Sequence, residues 1–239
     1  AAKVNKAKLS KKSLELFEEL ELNDGKNVNL HGDETKGQIL DAVLRMMKSK
    51  VLMFRMLILL YNFAINALVY FGLSINSVSL SGNKFSNFIL VSLVELPGYW
   101  LSYFVMEKFG RVSGYLGSIL LCGVTCILCG YANDPWLQTG LFLIGKLAIT
   151  CSITIVFIHA AELMPTIIRS MCCALCYTMS RIGALLSPFV PYLGKYYKPL
   201  PYIVFGVTAL VGGVSYLYLP ETLNKRLPNS VDDALEMNE

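Results

Sequence analysis

Lys146 and Arg181 each lie near the middle of an otherwise uncharged apolar run, ten residues after Trp136 and eleven after Ser170. A base at the centre of a hydrocarbon layer costs at least ~2.5–3.5 kcal/mol on insertion scales, so it normally faces a protein interior or a wet cavity. Facing a cavity, the two would meet an anionic group of a bound molecule or ion. The alternatives are snorkelling to an interface, or a structural ion pair with Glu95, the one interior charge of run 85–106. Glu95 could instead hold a cation or an ammonium. Tyr61, Phe63, Tyr70 and Phe71 lie on the apolar run near 56–74, and Tyr99 and Trp100 on run 85–106. They could wall a cavity and hold an ammonium by cation–π contact, or simply pack on lipid and neighbouring helices. Tyr70 and Tyr99 are the two singled out for the cavity.

A second set of charges is compressed into hinges. Glu162-Leu163-Met164-Pro165-Thr166-Ile167-Ile168-Arg169 follows an uncharged stretch, 150–161, and precedes another, 171–180. An acid, a proline and a base in that space can tie two membrane helices together at one water interface. Glu107-Lys108-Phe109-Gly110-Arg111 and Pro220-Glu221-Thr222-Leu223 are two further charged hinge elements. Glu107, Arg111, Glu162, Arg169 and Glu221 can therefore form one cluster.

Other chemistries find little support. Cys122, Cys126 and Cys129 share a helical face, but no His or carboxylate lies near in sequence to complete a metal set. Packing between membrane helices suits such small polarizable residues. His31 and His159 join no Ser/His/Asp set, and there is no phosphate loop or nucleotide motif. The sequence therefore points away from an enzyme and calls for no cofactor or metal, and its net charge of +4 argues nothing for nucleic acid.

The elements that must position these residues follow from composition. Of 239 residues 54% are apolar and only 16% charged, against about 25% charged in a soluble domain. Residues 1–50 alone hold 10 of the 21 Lys/Arg and 8 of the 17 Asp/Glu, so a polar segment precedes an integral membrane domain. Within it, Leu9, Leu14, Phe17 and Leu20 among Glu15, Glu18, Glu19 and Glu21 suggest an amphipathic helix stopped by Asn23-Asp24-Gly25. A second helix is expected from near Thr35, carrying Ile39, Leu40, Val43, Leu44 and Met47. Six apolar runs follow, at about 56–74, 85–106, 112–132, 136–161, 170–193 and 200–219. Each is long enough, or nearly so, to cross ~30 Å of hydrocarbon as a helix. The expectation is an all-α membrane protein with 50–225 as six spans, 1–49 as a cytoplasmic loop and 226–239 as a cytoplasmic tail.

If the N-terminal segment is cytoplasmic, Lys48, Lys50, Arg55, Lys108, Arg111, Arg169, Lys225 and Arg226 flank that side, against Lys84, Lys195 and Lys198 opposite. Eight bases against three place both termini inside. The start at Ala-Ala-Lys, without a signal-peptide pattern, suggests a piece of a longer protein.

The three hinges, in this order and at these spacings, resemble the C-terminal half of a major facilitator superfamily transporter, and more narrowly the organic cation/anion/carnitine transporter family of solute carriers. The likeness extends to Tyr70-Phe71-Gly72-Leu73-Ser74, Glu95-Leu96-Pro97, Gly145-Lys146, and Leu227-Pro228 followed by Asp232-Asp233, covering essentially residues 50–236. One departure is Val112, where the family usually has a second base after Arg111. The resemblance implies a six-helix C-terminal bundle (helices 7–12), with residues 1–49 as the loop after helix 6.

It also implies function. The expected activity is secondary transport of small organic ions by alternating access, in the plasma membrane, with a substrate site between two halves near the midplane. Partners are then the substrate, a coupled ion, the bilayer and a missing N-terminal six-helix half. Substrate binding would fall to Arg181, Lys146, Tyr70, Tyr99 and Glu95. Cation carriers of the family tend to have an acid at the place of Arg181, so carnitine-like zwitterions or anions are favoured. Pro97-Gly98-Tyr99-Trp100 is closer to the Pro-Ala-Tyr of carnitine-type carriers, and the run from Lys195 to Ile203 leans the same way. Glu107, Arg111, Glu162, Arg169 and Glu221 would be a cytoplasmic gate, the two bases exchanging acids as the halves rock, since breaking a part-buried ion pair leaves charges to resolvate. The bland alternative is that these charges only orient the helices. A sugar porter shares the hinges but needs no counter-charge inside its spans; a non-transporting scaffold could dispense with Lys146 and Arg181; an intramembrane enzyme would need paired acids.

Overall fold

The computed structural model describes residues 41, 43–46, 48–79, 84–223 and 228. The amphipathic helix expected around residues 9–20, the start of the second helix and the tail apart from Pro228 lie outside them. Residues 41 and 43–45 are helical, with an exposed Arg45–Asp41 pair at 2.9 Å.

From residue 46 onward the described fold is helical. Helix α1 (Lys50–Asn76) starts where the Ser49 hydroxyl accepts the amide of Leu52. Helix α2 (Lys84–Phe109) carries Pro97 inside it, which removes one ladder bond, a loss tolerated where neighbouring helices cover the backbone. A single residue, Gly110, joins it to α3 (Arg111–Tyr131). Helix α4 (Pro135–Leu163) begins on a proline at its first position, where the missing N–H would have no helical partner anyway. Helix α5 (Arg169–Leu186) is followed by α6 (Phe189–Tyr192), a turn of 3₁₀ helix at Leu193–Lys195, and α7 (Leu200–Tyr216).

The sequence expects one run over 170–193; the backbone breaks it at Ser187-Pro188. Proline offers no N–H and disfavours helical geometry in the residue before it, and the Ser187 amide turns back to Ala184 instead. Among the described residues, five segments are long and apolar enough to cross a membrane, counting Arg169–Lys195 as one. The sixth expected span, α7, has 17 residues, or about 26 Å of helix, and its apolar run continues to Leu219 only through tightened turns.

Helix α1 packs against α5, α7 and α4; α3 packs on α4 and α7; α2 lies on α4. Small residues allow the close approaches. Gly183 of α5 sits where a Cβ would strike the Ala64 carbonyl of α1, and Gly72 of α1 sits under the Phe205 ring of α7. The cysteines are free and, except half-buried Cys173, buried. In the most apolar stretch of each segment, only 17% is buried for α2 and 28% for Arg169–Lys195, which includes α5, against 50–61% in α1, α3 and α4. Helices α2 and α5 therefore present most of their surface outward.

Candidate functional site

Two places gather the charges. The first is a cleft of about 430 Å³ walled by Tyr70 and Phe71 of α1, Tyr99 of α2, Thr154 and Phe157 of α4, and Tyr177, Ser180 and Arg181 of α5. Phe157 and Tyr177 stack with centroids 5.1 Å apart, and Phe63 meets Phe157 edge-on at 4.8 Å. Exposed Tyr61 and Trp100 are not among its walls. Tyr70, Tyr99 and Arg181, three widely separated candidates, thus share one concavity.

Lys146 and Glu95 stand behind Tyr70. The Lys146 side chain is 0% exposed, and its ammonium lies 2.9 Å from Glu95 Oε1. It also donates to the Ser74 hydroxyl at 2.6 Å and the Tyr70 carbonyl at 3.2 Å, and lies 3.5 Å from the Tyr70 ring centroid. The Tyr70 hydroxyl donates to Glu95 Oε2 at 2.8 Å, so both carboxylate oxygens are engaged. A buried ammonium held this way has its charge matched at once by a carboxylate and by oxygen acceptors. Of the charges around the cleft, Arg181 is the one with no acid paired to it among the described residues.

The second place is the end of the bundle where the three hinges meet. Arg111 and Glu162 form a two-pronged pair, Nε–Oε2 3.0 Å and Nη2–Oε1 2.9 Å, a geometry that guanidinium offers and ammonium does not. The Thr222 hydroxyl adds a 2.6 Å bond to Glu162 Oε2. Glu221 reaches across to the start of α3, accepting the amides of Arg111 at 2.7 Å and Val112 at 2.9 Å, and also those of Thr222 and Leu223. The first amides of a helix have no partner within it and carry its positive dipole end; a carboxylate 110 residues away satisfies two of them. Burial pushes the Glu221 carboxyl up, but the four amide bonds outweigh it and hold it below its ordinary value. Gly110 makes room: its φ is +88°, and a Cβ there would lie 2.7 Å from Glu221 Oε2.

Arg169 and Glu107 are placed differently. Arg169 donates through Nε to the Met164 carbonyl of its own hinge at 3.3 Å, and neither residue pairs with an opposite charge among the described residues. Glu107 is exposed. The Pro165–Ile168 part of the hinge is tied instead through the Thr166 amide to the Pro228 carbonyl at 3.2 Å.

Between the two places runs a buried polar chain that charge-based reading overlooks. Ser152 donates to Asn66 Oδ1, Asn66 to the Tyr115 hydroxyl, Tyr115 to Asn62 Oδ1, and Asn62 to Ser215. Tyr115 stacks on Tyr216 at 3.8 Å, and Tyr216 meets His159. The signal available was Asn62 and Asn66 four apart in an apolar run, one helical face bearing two polar groups that need partners.

Comparison with known proteins places these features. The profile of the family described as "Sugar (and other) transporter" matches residues 2–230. The chain belongs to that family. Among its relatives, an organic cation transporter protein of Drosophila melanogaster is 36% identical over 179 residues, covering 74% of this chain and 33% of the fly protein. Organic cation transporter 1 of Caenorhabditis elegans is 31% identical over 230 residues, 95% of this chain and 39% of that protein. Human organic cation/carnitine transporter 2 is 33% identical over 170 residues, 70% of this chain and 30% of that protein. This transporter-family chain is thus an integral membrane protein with the helical fold of the major facilitator superfamily, and it spans well under half the length of these relatives.

Proposed function

We propose that this chain is the C-terminal half of a secondary transporter for small organic zwitterions or anions that works by alternating access. The observation that carries the reading is the cleft, where an acid-free Arg181 faces a wall of Tyr70, Tyr99, Phe157 and Tyr177. A carboxylate would pair with the guanidinium, while an ammonium on the same molecule would find the aromatic faces. Lys146 and Glu95 cancel each other and polarise Tyr70 from behind, which leaves the cleft positive. The hinge end is then the cytoplasmic gate, held by Arg111–Glu162 and by Glu221 on α3. The outward faces of α2 and α5 meet lipid or the missing N-terminal half, in the plasma membrane. The names of the relatives support an organic ion as substrate; one of them, organic cation/carnitine transporter 2, fits a zwitterion, while the other two are named for organic cations.

The test is uptake by the full-length protein in cells of a carnitine-like zwitterion, a quaternary ammonium, an aromatic carboxylate and a hexose, for wild type and Arg181→Ala. Selective loss of zwitterion or carboxylate uptake in the variant is expected. Hexose uptake, or organic-ion uptake indifferent to the substitution at equal surface expression, would remove Arg181 from the site and favour a sugar porter.

A further inference from the structure

His159 lies in α4 one helical turn before Glu162 and is fully buried. Its Nε2 bonds the Pro220 carbonyl at 3.1 Å, while Glu162 takes the Thr222 hydroxyl. Helix α4 thus grips the hinge on both sides of Glu221, at the residue before it and the residue after it. The carboxylate between those grips is the one that satisfies the first amides of α3.

The hydrogen bonds fix the ring. A carbonyl can only accept, so Nε2 carries the proton. In the neutral imidazole Nδ1 is then an acceptor, and the Tyr216 hydroxyl donates to it. Tyr216 stacks on Tyr115, whose hydroxyl joins Asn62 and Asn66 of α1. One tautomer therefore links the hinge to four helices.

We propose that His159 is a positioning residue for the gate: donating to Pro220 and locked by Tyr216, it aims Glu221 at the start of α3. The proposal rests on the gate reading above. It makes a specific demand: the ring matters through Glu221, and a side chain that keeps the Nε2–H donor can replace it.

The experiment measures Vmax and KM for uptake of a labelled carnitine-like zwitterion by the full-length protein, normalised to surface protein, in His159→Leu, His159→Gln and Tyr216→Phe, each alone and on a Glu221→Gln background. Leucine should lower Vmax about tenfold with little change in KM, as expected when a buried acceptor is orphaned. Glutamine, whose amide can donate to Pro220, should recover most of that loss. On the Glu221→Gln background the leucine change should add less than about twofold, because the two residues act in one network. Tyr216→Phe, which removes one oxygen and keeps the stacked ring, should lower Vmax several-fold with the same non-additivity; it decides the matter if the leucine protein does not reach the surface. A wild-type Vmax in the leucine variant, glutamine no better than leucine, or effects that multiply with Glu221→Gln would overturn the proposal while leaving the gate reading intact. A Glu221→Gln protein with normal transport would remove the gate reading, and this proposal with it.

Discussion

Replacing Gly110 with alanine should damage this protein far more than the same change seven residues later. Gly110 has φ +88° and ψ 178°, a region essentially restricted to glycine, where an L side chain costs of order 1–3 kcal/mol. Its Cβ would also sit 2.7 Å from Glu221 Oε2 and 2.9 Å from its Cδ. Relief requires the carboxylate to withdraw from the Arg111 and Val112 amides, which loses about 1–3 kcal/mol more for buried donors left unpaired. The sum is about 2–6 kcal/mol. Gly117 lies inside α3 with nothing within 4 Å of a built Cβ, so alanine there should gain about 0.5–1 kcal/mol of helix propensity. The assay is the apparent thermal midpoint of the detergent-purified full-length protein, with uptake measured in parallel. Gly110→Ala should lower the midpoint by several degrees and slow transport, whereas Gly117→Ala should leave the midpoint equal or raised. Equal tolerance of the two substitutions would refute the idea that the carboxylate of Glu221 is seated against the Gly110 backbone.

Three further outcomes follow from the same geometry. Arg111→Lys should lose the two-pronged contact with Glu162 and lower transport about tenfold, and Arg111→Glu with Glu162→Arg should recover part of what either reversal alone abolishes; two single reversals that transport normally would end the gating role. Lys146→Met and Glu95→Gln should each reduce the yield of folded protein sharply, since a broken buried pair typically costs about 3–5 kcal/mol, while the double variant should come back toward wild type; a double variant worse than both singles would contradict a self-neutralising pair. The depressed Glu221 carboxyl should contribute stability that is complete above its ordinary value of 4.5 and lost as pH falls through its lower folded value; thermal midpoints of wild type and Glu221→Gln measured down the acid limb should converge, and parallel curves would exclude the effect.

The sequence makes legible what hydrocarbon penalises. A base or acid inside an apolar run stands out whatever its partner, so Lys146, Arg181 and Glu95 are visible as exceptional. Whether Lys146 faces a cavity or Glu95 depends on how α4 and α2 are rotated about their axes, and α4 is apolar on nearly every side, so no pattern of polar residues reveals its rotation. Neutral polar residues carry a weaker signal. Thr222, His159, Asn62 and Ser152 look like scattered polar positions until partners 60 to 153 residues away are brought beside them. The sequence shows that the hinges carry charges, but charge alone does not distribute partners. Arg111 takes the acid, while Arg169 turns to a carbonyl of its own hinge.

The bond from Glu221 to the start of α3 also bears on the order in which the protein can be made. Arg111 and Val112 leave the ribosome 110 and 109 residues ahead of the carboxylate that satisfies their amides. Until residues 220–223 emerge, the turn between α2 and α3 has its helices but lacks its clasp. Premature termination between the end of α7 and Glu221 therefore yields a chain that has every described helix and whose hinge end is still unfinished. Quality control acting on membrane proteins during synthesis would see an open turn at Gly110 until the last few hinge residues arrive.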